Sequence, residues 1–157
     1  MSFIKLKYKK IHPEAKITRP EKGNAGYDLH AVSYSWNKDA CAWMIKTGIC
    51  LEIPEGYVGI IKDRSGQAKL SVETHAGVID SSYRGELIVL LSARKLVYDL
   101  VESLMPYSDI IEQDYAFKKY LGKFAQIVIV PYLDLPLEET TLSETERGDK
   151  GFGSSGT

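Results

Sequence analysis

The stretch His75–Leu91, HAGVIDSSYRGELIVLL, decides how this chain reads. Two apolar runs rich in β-branched residues, Gly77–Ile79 and Glu86–Leu91, flank the turn-forming residues DSSYRG. The pattern predicts a hairpin whose tip carries Asp80, Tyr83 and Arg84. ELIVLL is nearly continuous in its apolar residues, and so is QIVIV at Gln126–Val130. Both therefore predict strands buried on two faces. An aspartate directly after an apolar strand is a candidate general base where its surroundings are partly desolvated. An Asx turn at the tip is the ordinary structural alternative.

Working outward, short β-rich segments recur. Phe3–Tyr8 alternates apolar and basic residues, as a half-buried strand would. Ala42–Ile53 reads as two short strands interrupted near Gly48 and ended by Pro54 and the Glu55-Gly56 turn. Tyr57–Ile61 and Ala125–Tyr132 complete the set. Many short strands at close spacing predict an all-β chain, a sandwich, jelly roll or barrel. The exception is an insert at about 95–120. There Val97, Val101 and Leu104 fall at helical spacing, Ile111 and Tyr115 repeat a four-residue step, and Pro106 separates the two stretches. One or two short helices are expected, either a surface excursion or a surface for a protein partner. The domain is expected over 1–135. Residues 136–157 form an acidic connector and a glycine-rich arm.

The 157 residues fit one domain. A formal net charge of −1 argues against general nucleic-acid binding, which needs a basic face. Cys41 and Cys50 make neither a disulfide framework nor a zinc set. The amino-terminal MSFIKLKYKK lacks the apolar core of a signal peptide, and no apolar run approaches the roughly eighteen residues of a membrane helix. A reducing compartment with no membrane association is the expectation, cytoplasmic or, for a viral protein, in the host cytoplasm or nucleus.

Two further clusters carry chemistry. Arg64-Ser65-Gly66 places a cation, a hydroxyl and an open backbone N–H within one turn, a phosphate cradle or a plain turn before a helix. The stretch RGDKGFGSSGT from Arg147 contains G-x-G-x-x-G, but an acidic connector rather than a strand precedes it and no helix is expected after it. It is either a disordered tail or an arm that closes on a ligand. Arg147 suits phosphate oxygens, Phe152 suits stacking, and the glycines with Ser154 and Ser155 offer donors. His30 and His75 have no companions at metal spacing.

Five stretches in this order resemble the motifs of the trimeric dUTPase family. They are Ala25-Gly26-Tyr27-Asp28-Leu29, Asp63–Ala68, Gly77–Glu86, Leu121–Gln126 and Arg147–Gly156. The resemblance implies a distorted jelly-roll homotrimer, with active sites shared between chains, that hydrolyses dUTP to dUMP and pyrophosphate. It implies that Asp80 activates a water for attack on the α-phosphorus. Arg64, Ser65, Gly66 and Gln126 would hold phosphates. Tyr83 would pack under the deoxyribose, and the segment through Gly77 and Ile79, with Ile88, would read uracil. From the arm, Arg147 would reach the γ-phosphate, Phe152 would stack on the base, and Gly153, Ser154 and Ser155 would bind phosphates. Mg2+ would ride on the triphosphate, with Asp28 holding one of its waters. Departures from the family pattern are Asp63 for proline, Gln67 for an apolar residue, Ser82 for aspartate, and a fourth motif without its acidic residue. The alternatives are a dCTP deaminase-type relative, or a nucleotide-switched regulator that binds a partner through the 95–120 insert.

Overall fold

The computed structural model describes residues 4–19, 21–69, 71–93 and 122–149. The 95–120 insert, with its expected helices and partner surface, lies outside them. So do Phe152, Gly153, Ser154 and Ser155. The described chain forms β1 (Lys7–Lys10), β2 (Ile17–Thr18), β3 (Gly26–Leu29), β4 (Ser33–Asn37), β5 (Ala42–Glu52) and β6 (Tyr57–Asp63). After these come α1 (Ser65–Ala68), β7 (Val72–His75), β8 (Val78–Ile79), β9 (Glu86–Ala93) and β10 (Ala125–Pro131). The expected all-β sandwich is what forms. Two five-stranded sheets pair wholly antiparallel. One runs β1-β5-β9-β7, with β4 also on β5, and the other runs β2-β3-β10-β6-β8.

Between the sheets, Ile45, Ile49, Leu87 and Val89 of the first meet Leu29, Ile61 and Ile127 of the second, all essentially buried. Each such side chain contributes about 1.5–3 kcal/mol by leaving water. Phe124 closes one end of this core. Among the described residues no helix is long and apolar enough to cross a membrane. Cys41 is exposed and Cys50 half-buried, and both are free thiols.

Four expectations need correction. First, β8 and β9 are not a hairpin. Val78 and Ile79 pair with β6 in one sheet, while β9 pairs with β5 and β7 in the other. The Gly77 carbonyl accepts from Ile61 N–H at 2.8 Å, and the Glu86 carboxylate accepts from Gly48 N–H at 2.7 Å. These bonds pull the two runs to different sheets, so DSSYRG crosses the sandwich. Second, ELIVLL and QIVIV are buried on one face only. Leu87, Val89 and Leu91 point into the core while Ile88 is exposed, and Val128 and Val130 are half-exposed beside buried Ile127. A sandwich strand has a packed layer on its inner side alone.

Third, the amino-terminal strand is Lys7–Lys10 rather than Phe3–Tyr8, and all four residues are exposed. Its apolar contribution comes from Leu6, just before it. Fourth, Ala42–Glu52 is one strand. The interruption at Gly48 is a bulge: Lys46 pairs with Ile88 and Cys50 with Glu86, four steps on β5 against two on β9. Gly48 sits at φ +65°, and a side chain there would collide with the β-carbons of His12 and Ala15. Thr47, fully buried, donates its hydroxyl to the Leu87 carbonyl at 2.8 Å and accepts from Ile49 N–H at 3.2 Å. The polar groups freed by the bulge are thus satisfied by local side chains.

Candidate active site

Apart from Ile88 on β9 and Arg147 in the carboxy-terminal stretch, the expected site residues among the described ones fall toward the two ends of β6. One end is built where three neighbouring strands bring polar side chains into register: Gln126 stands opposite Asp28 on β3 and opposite Lys62 on β6. The side chain of Asp28 is only 4% exposed, and its Oδ1 lies 2.9 Å from Arg64 Nε. Lys123 Nζ lies 3.1 Å from Oδ2, at an angle that makes an ion pair without a hydrogen bond. Arg64 also donates through a terminal nitrogen to the Lys123 carbonyl at 3.2 Å. One buried anion therefore holds two cations that remain partly exposed, 34% for the Arg64 side chain and 45% for Lys123. The group carries a net positive charge toward solvent, as an anion site requires.

Arg64 leads into α1, with Ser65 and Gly66 both exposed at its start. Gln126 is half-buried and donates from Nε2 to the Asp63 carbonyl at 3.0 Å. Asp63, which replaces the family's proline, does not leave a loose charge beside the cradle. Its Oδ1 accepts from Thr74 N–H at 2.7 Å. Gln67, the other departure in this turn, is buried.

His30, beside this cluster, has its Nε2 3.2 Å from the Thr18 hydroxyl. Burial holds its pKa below the ordinary 6.5, and the nearby charges of Lys16, Lys123 and Arg64 add to that, against an opposing pull from Asp28.

The other end carries Asp80 and Tyr83. Asp80 is exposed, and among the described residues its carboxylate has no hydrogen-bond or ion-pair partner. It lines an open cavity of about 420 Å³ with Val58, Ile60, Val78, Ser81, Ser82 and Tyr132. The turn behind it is self-fastened: Tyr83 N–H donates to the Asp80 carbonyl at 3.1 Å, and Arg84 donates to the carbonyls of Ser81 and Tyr83 at 2.6 and 2.9 Å. Tyr83 folds back so that its hydroxyl donates to the Glu86 carbonyl at 3.0 Å. Its ring lies over Gly85, where any side chain would overlap the phenol. The result is a ring fixed at its tip and 45% exposed, a flat platform. Gly77 and Ile79 lead into Asp80, and exposed Ile88 lies on β9.

Within one chain these two groups stay apart. Ile79 pairs with Gly59, so Asp80 lies near Val58, while Arg64 follows Asp63 at the far end of β6. Six residues of strand separate them, about 20 Å. Arg147 lies in a stretch exposed throughout. Lys123 was not among the expected site residues, nor was the Asp63–Thr74 bond. Both depend on contacts between distant segments that no local pattern announces.

A family model described as dUTPase matches residues 13–97. A deoxyuridine 5'-triphosphate nucleotidohydrolase of Clostridioides difficile is 35% identical over 96% of this chain and 97% of its own length. One from Helicobacter pylori strain P12 is 34% identical over 98% and 97%. Among solved structures, the dUTPase of Staphylococcus bacteriophage 80alpha with dUpNHpp superposes with a TM-score of 0.71 at 28% identity. That match covers 98% of this chain and 99% of the phage protein. Sequence and architecture agree over almost the full length of these relatives: the chain belongs to the dUTPase family, and is an enzyme of that class.

Proposed function

We propose that this dUTP diphosphatase splits dUTP to dUMP and pyrophosphate with Asp80 as the general base. The observation that carries the reading is the exposed Asp80 carboxylate, uncommitted among the described residues, at the lip of a cavity and three residues before the anchored Tyr83 ring. Asp80 accepts a proton from a water positioned for in-line attack on the α-phosphorus, and pyrophosphate leaves from the opposite side. The Tyr83 platform supports the deoxyribose and leaves no room for a 2′-hydroxyl. Gly77, Ile79 and Ile88 border the base.

Arg64, Ser65, Gly66 and Gln126 hold phosphate oxygens, and the positive charge beside Asp28 favours the anionic transition state over water. The arm adds Arg147 at the γ-phosphate, Phe152 on the uracil, and Gly153, Ser154 and Ser155 on the phosphates.

The 20 Å between the two groups supports a trimer in which Asp80 of one protomer meets Arg64 of another. A triphosphate is too short to bridge them within one chain. The outward apolar side chains Ile88, Val128 and Val130 suit burial between protomers.

Magnesium fits as an ion carried by the triphosphate. Among the described residues no cluster of three or more His, Cys, Asp or Glu could hold a metal alone. Asp28 Oδ2 accepts no hydrogen bond among those residues and is paired only by charge with Lys123 Nζ at 3.1 Å, so a metal-bound water would reach it by displacing that lysine. Bound there, the ion would neutralise phosphate charge and favour the leaving group.

The test is pyrophosphate release from dUTP with magnesium, run beside dCTP, UTP and dTTP. Selective turnover of dUTP is expected. Ammonia release from dCTP would replace this reading with a deaminase.

A further inference from the structure

Asp63 makes two contacts that the chemistry above does not use, one to Thr74 across the sandwich and one to Gln126 of the phosphate group. Its carboxylate accepts the Thr74 N–H at 2.7 Å, joining the last residue of β6 in one sheet to β7 in the other. The chain between them holds Arg64, Ser65, Gly66 and α1. The bond therefore closes the neck of the loop that carries the phosphate donors. Its length is that of a charge-assisted hydrogen bond, the stronger class. Meanwhile the Asp63 carbonyl takes one N–H of the Gln126 amide at 3.0 Å. A primary amide has two such donors, so this contact fixes the direction of the second.

We propose that Asp63 is a positioning residue of the triphosphate site. Its carboxylate clasps the Arg64–Gly66 loop while its carbonyl aims Gln126. The family's proline at this position stiffens the turn by locking φ. Asp63 fastens the same turn from outside, by a bond to the neighbouring sheet. The proposal rests on the assignment of Arg64–Gly66 and Gln126 to the phosphates.

The experiment compares the full-length native protein, Asp63→Ala and Asp63→Asn by calorimetric titration with dUpNHpp and by inhibition with deoxyuridine, which carries no phosphate. Asp63→Ala is expected to weaken dUpNHpp binding about ten- to a hundredfold, the loss of one charged hydrogen bond. Deoxyuridine affinity should not change. Asp63→Asn keeps an acceptor and should recover most of the loss. Hydrogen exchange at the Thr74 amide of the native protein gives a second reading that needs no variant, and slow exchange is expected.

Native-like dUpNHpp affinity in Asp63→Ala would overturn the proposal. So would equal losses for dUpNHpp and deoxyuridine, no recovery in Asp63→Asn, or fast exchange at Thr74. A native protein that binds no dUpNHpp would overturn the site assignment and this proposal together. Normal dUpNHpp binding by the native protein with no effect of Asp63→Ala would overturn the proposal alone.

Discussion

The two ends of β6 are built on opposite plans. At the Asp63 end, polar side chains are bound to one another: Asp28 to Arg64 and Lys123, Gln126 to Asp63, Asp63 to Thr74. At the Tyr57 end, Asp80 faces an open cavity, and only the backbone turn behind it is fastened. Two cations held side by side repel each other, and a buried carboxylate between them offsets that cost in the free protein. A general base needs the reverse, since a carboxylate already paired with a cation is a poor proton acceptor.

Substitutions at the two ends should therefore fail in different ways. The largest effect is expected at the open end. Asp80→Asn should lower turnover by about 10²- to 10⁴-fold, with dUpNHpp affinity and melting temperature close to native. A clear loss of stability in this variant would mean that Asp80 is structural and the contrast false. At the closed end, Asp28→Asn should cost about 2 kcal/mol of stability in urea unfolding, because two cations lose their common partner. The cost falls below the usual figure for a broken buried ion pair, since both cations can turn to water. Unchanged stability would break the comparison from this side.

The smallest effect concerns His30. Its pKa is depressed in the folded chain, so the unfolded chain takes up a proton first as pH falls. The stability tied to neutral His30 is complete above the ordinary 6.5. It declines as pH drops through that value, and levels off below the lowered folded pKa. His30→Gln should remove that part of the pH dependence, measured as melting temperature between pH 7.5 and about pH 5, above most carboxylate titrations. Identical profiles would show that neither burial nor the charged cluster depresses His30.

Much of the fold was legible because burial writes a local pattern. β6, β9 and β10 lie where apolar runs predict them, and even the break in β5 was visible as Gly48. Pairing was not legible. GVI and ELIVLL look like hairpin partners, yet a backbone bond from Ile61 and a side-chain bond from Glu86 send them to different sheets. β4, SYSWN, was missed although Tyr34 and Trp36 alternate with polar residues, because serine and asparagine also mark turns. Its aromatic contacts, Trp36 with Trp43 at 5.3 Å and Tyr34 with Trp43 at 5.8 Å, are made across to β5. At the candidate site the same division holds. Asp80, Arg64 and Gln126 stand out by motif. Lys123 and Thr74 acquire their roles from partners 95 and 11 positions away, through contacts set by folding.

The bulge at Gly48 has a consequence for how the chain behaves among its own copies. On the side of β5 away from β9, residues before Gly48 pair with β4 and residues after it pair with β1. A straight strand of eleven residues would call for one long partner, and that partner would expose an equally long row of unpaired backbone groups. The bend divides the margin into two short pieces, one studded with Lys7, Lys9 and Lys10. Short, lysine-bearing margins are poor templates for stray strands. A glycine chosen for its backbone angle thereby also protects a β-rich chain from edge-to-edge aggregation.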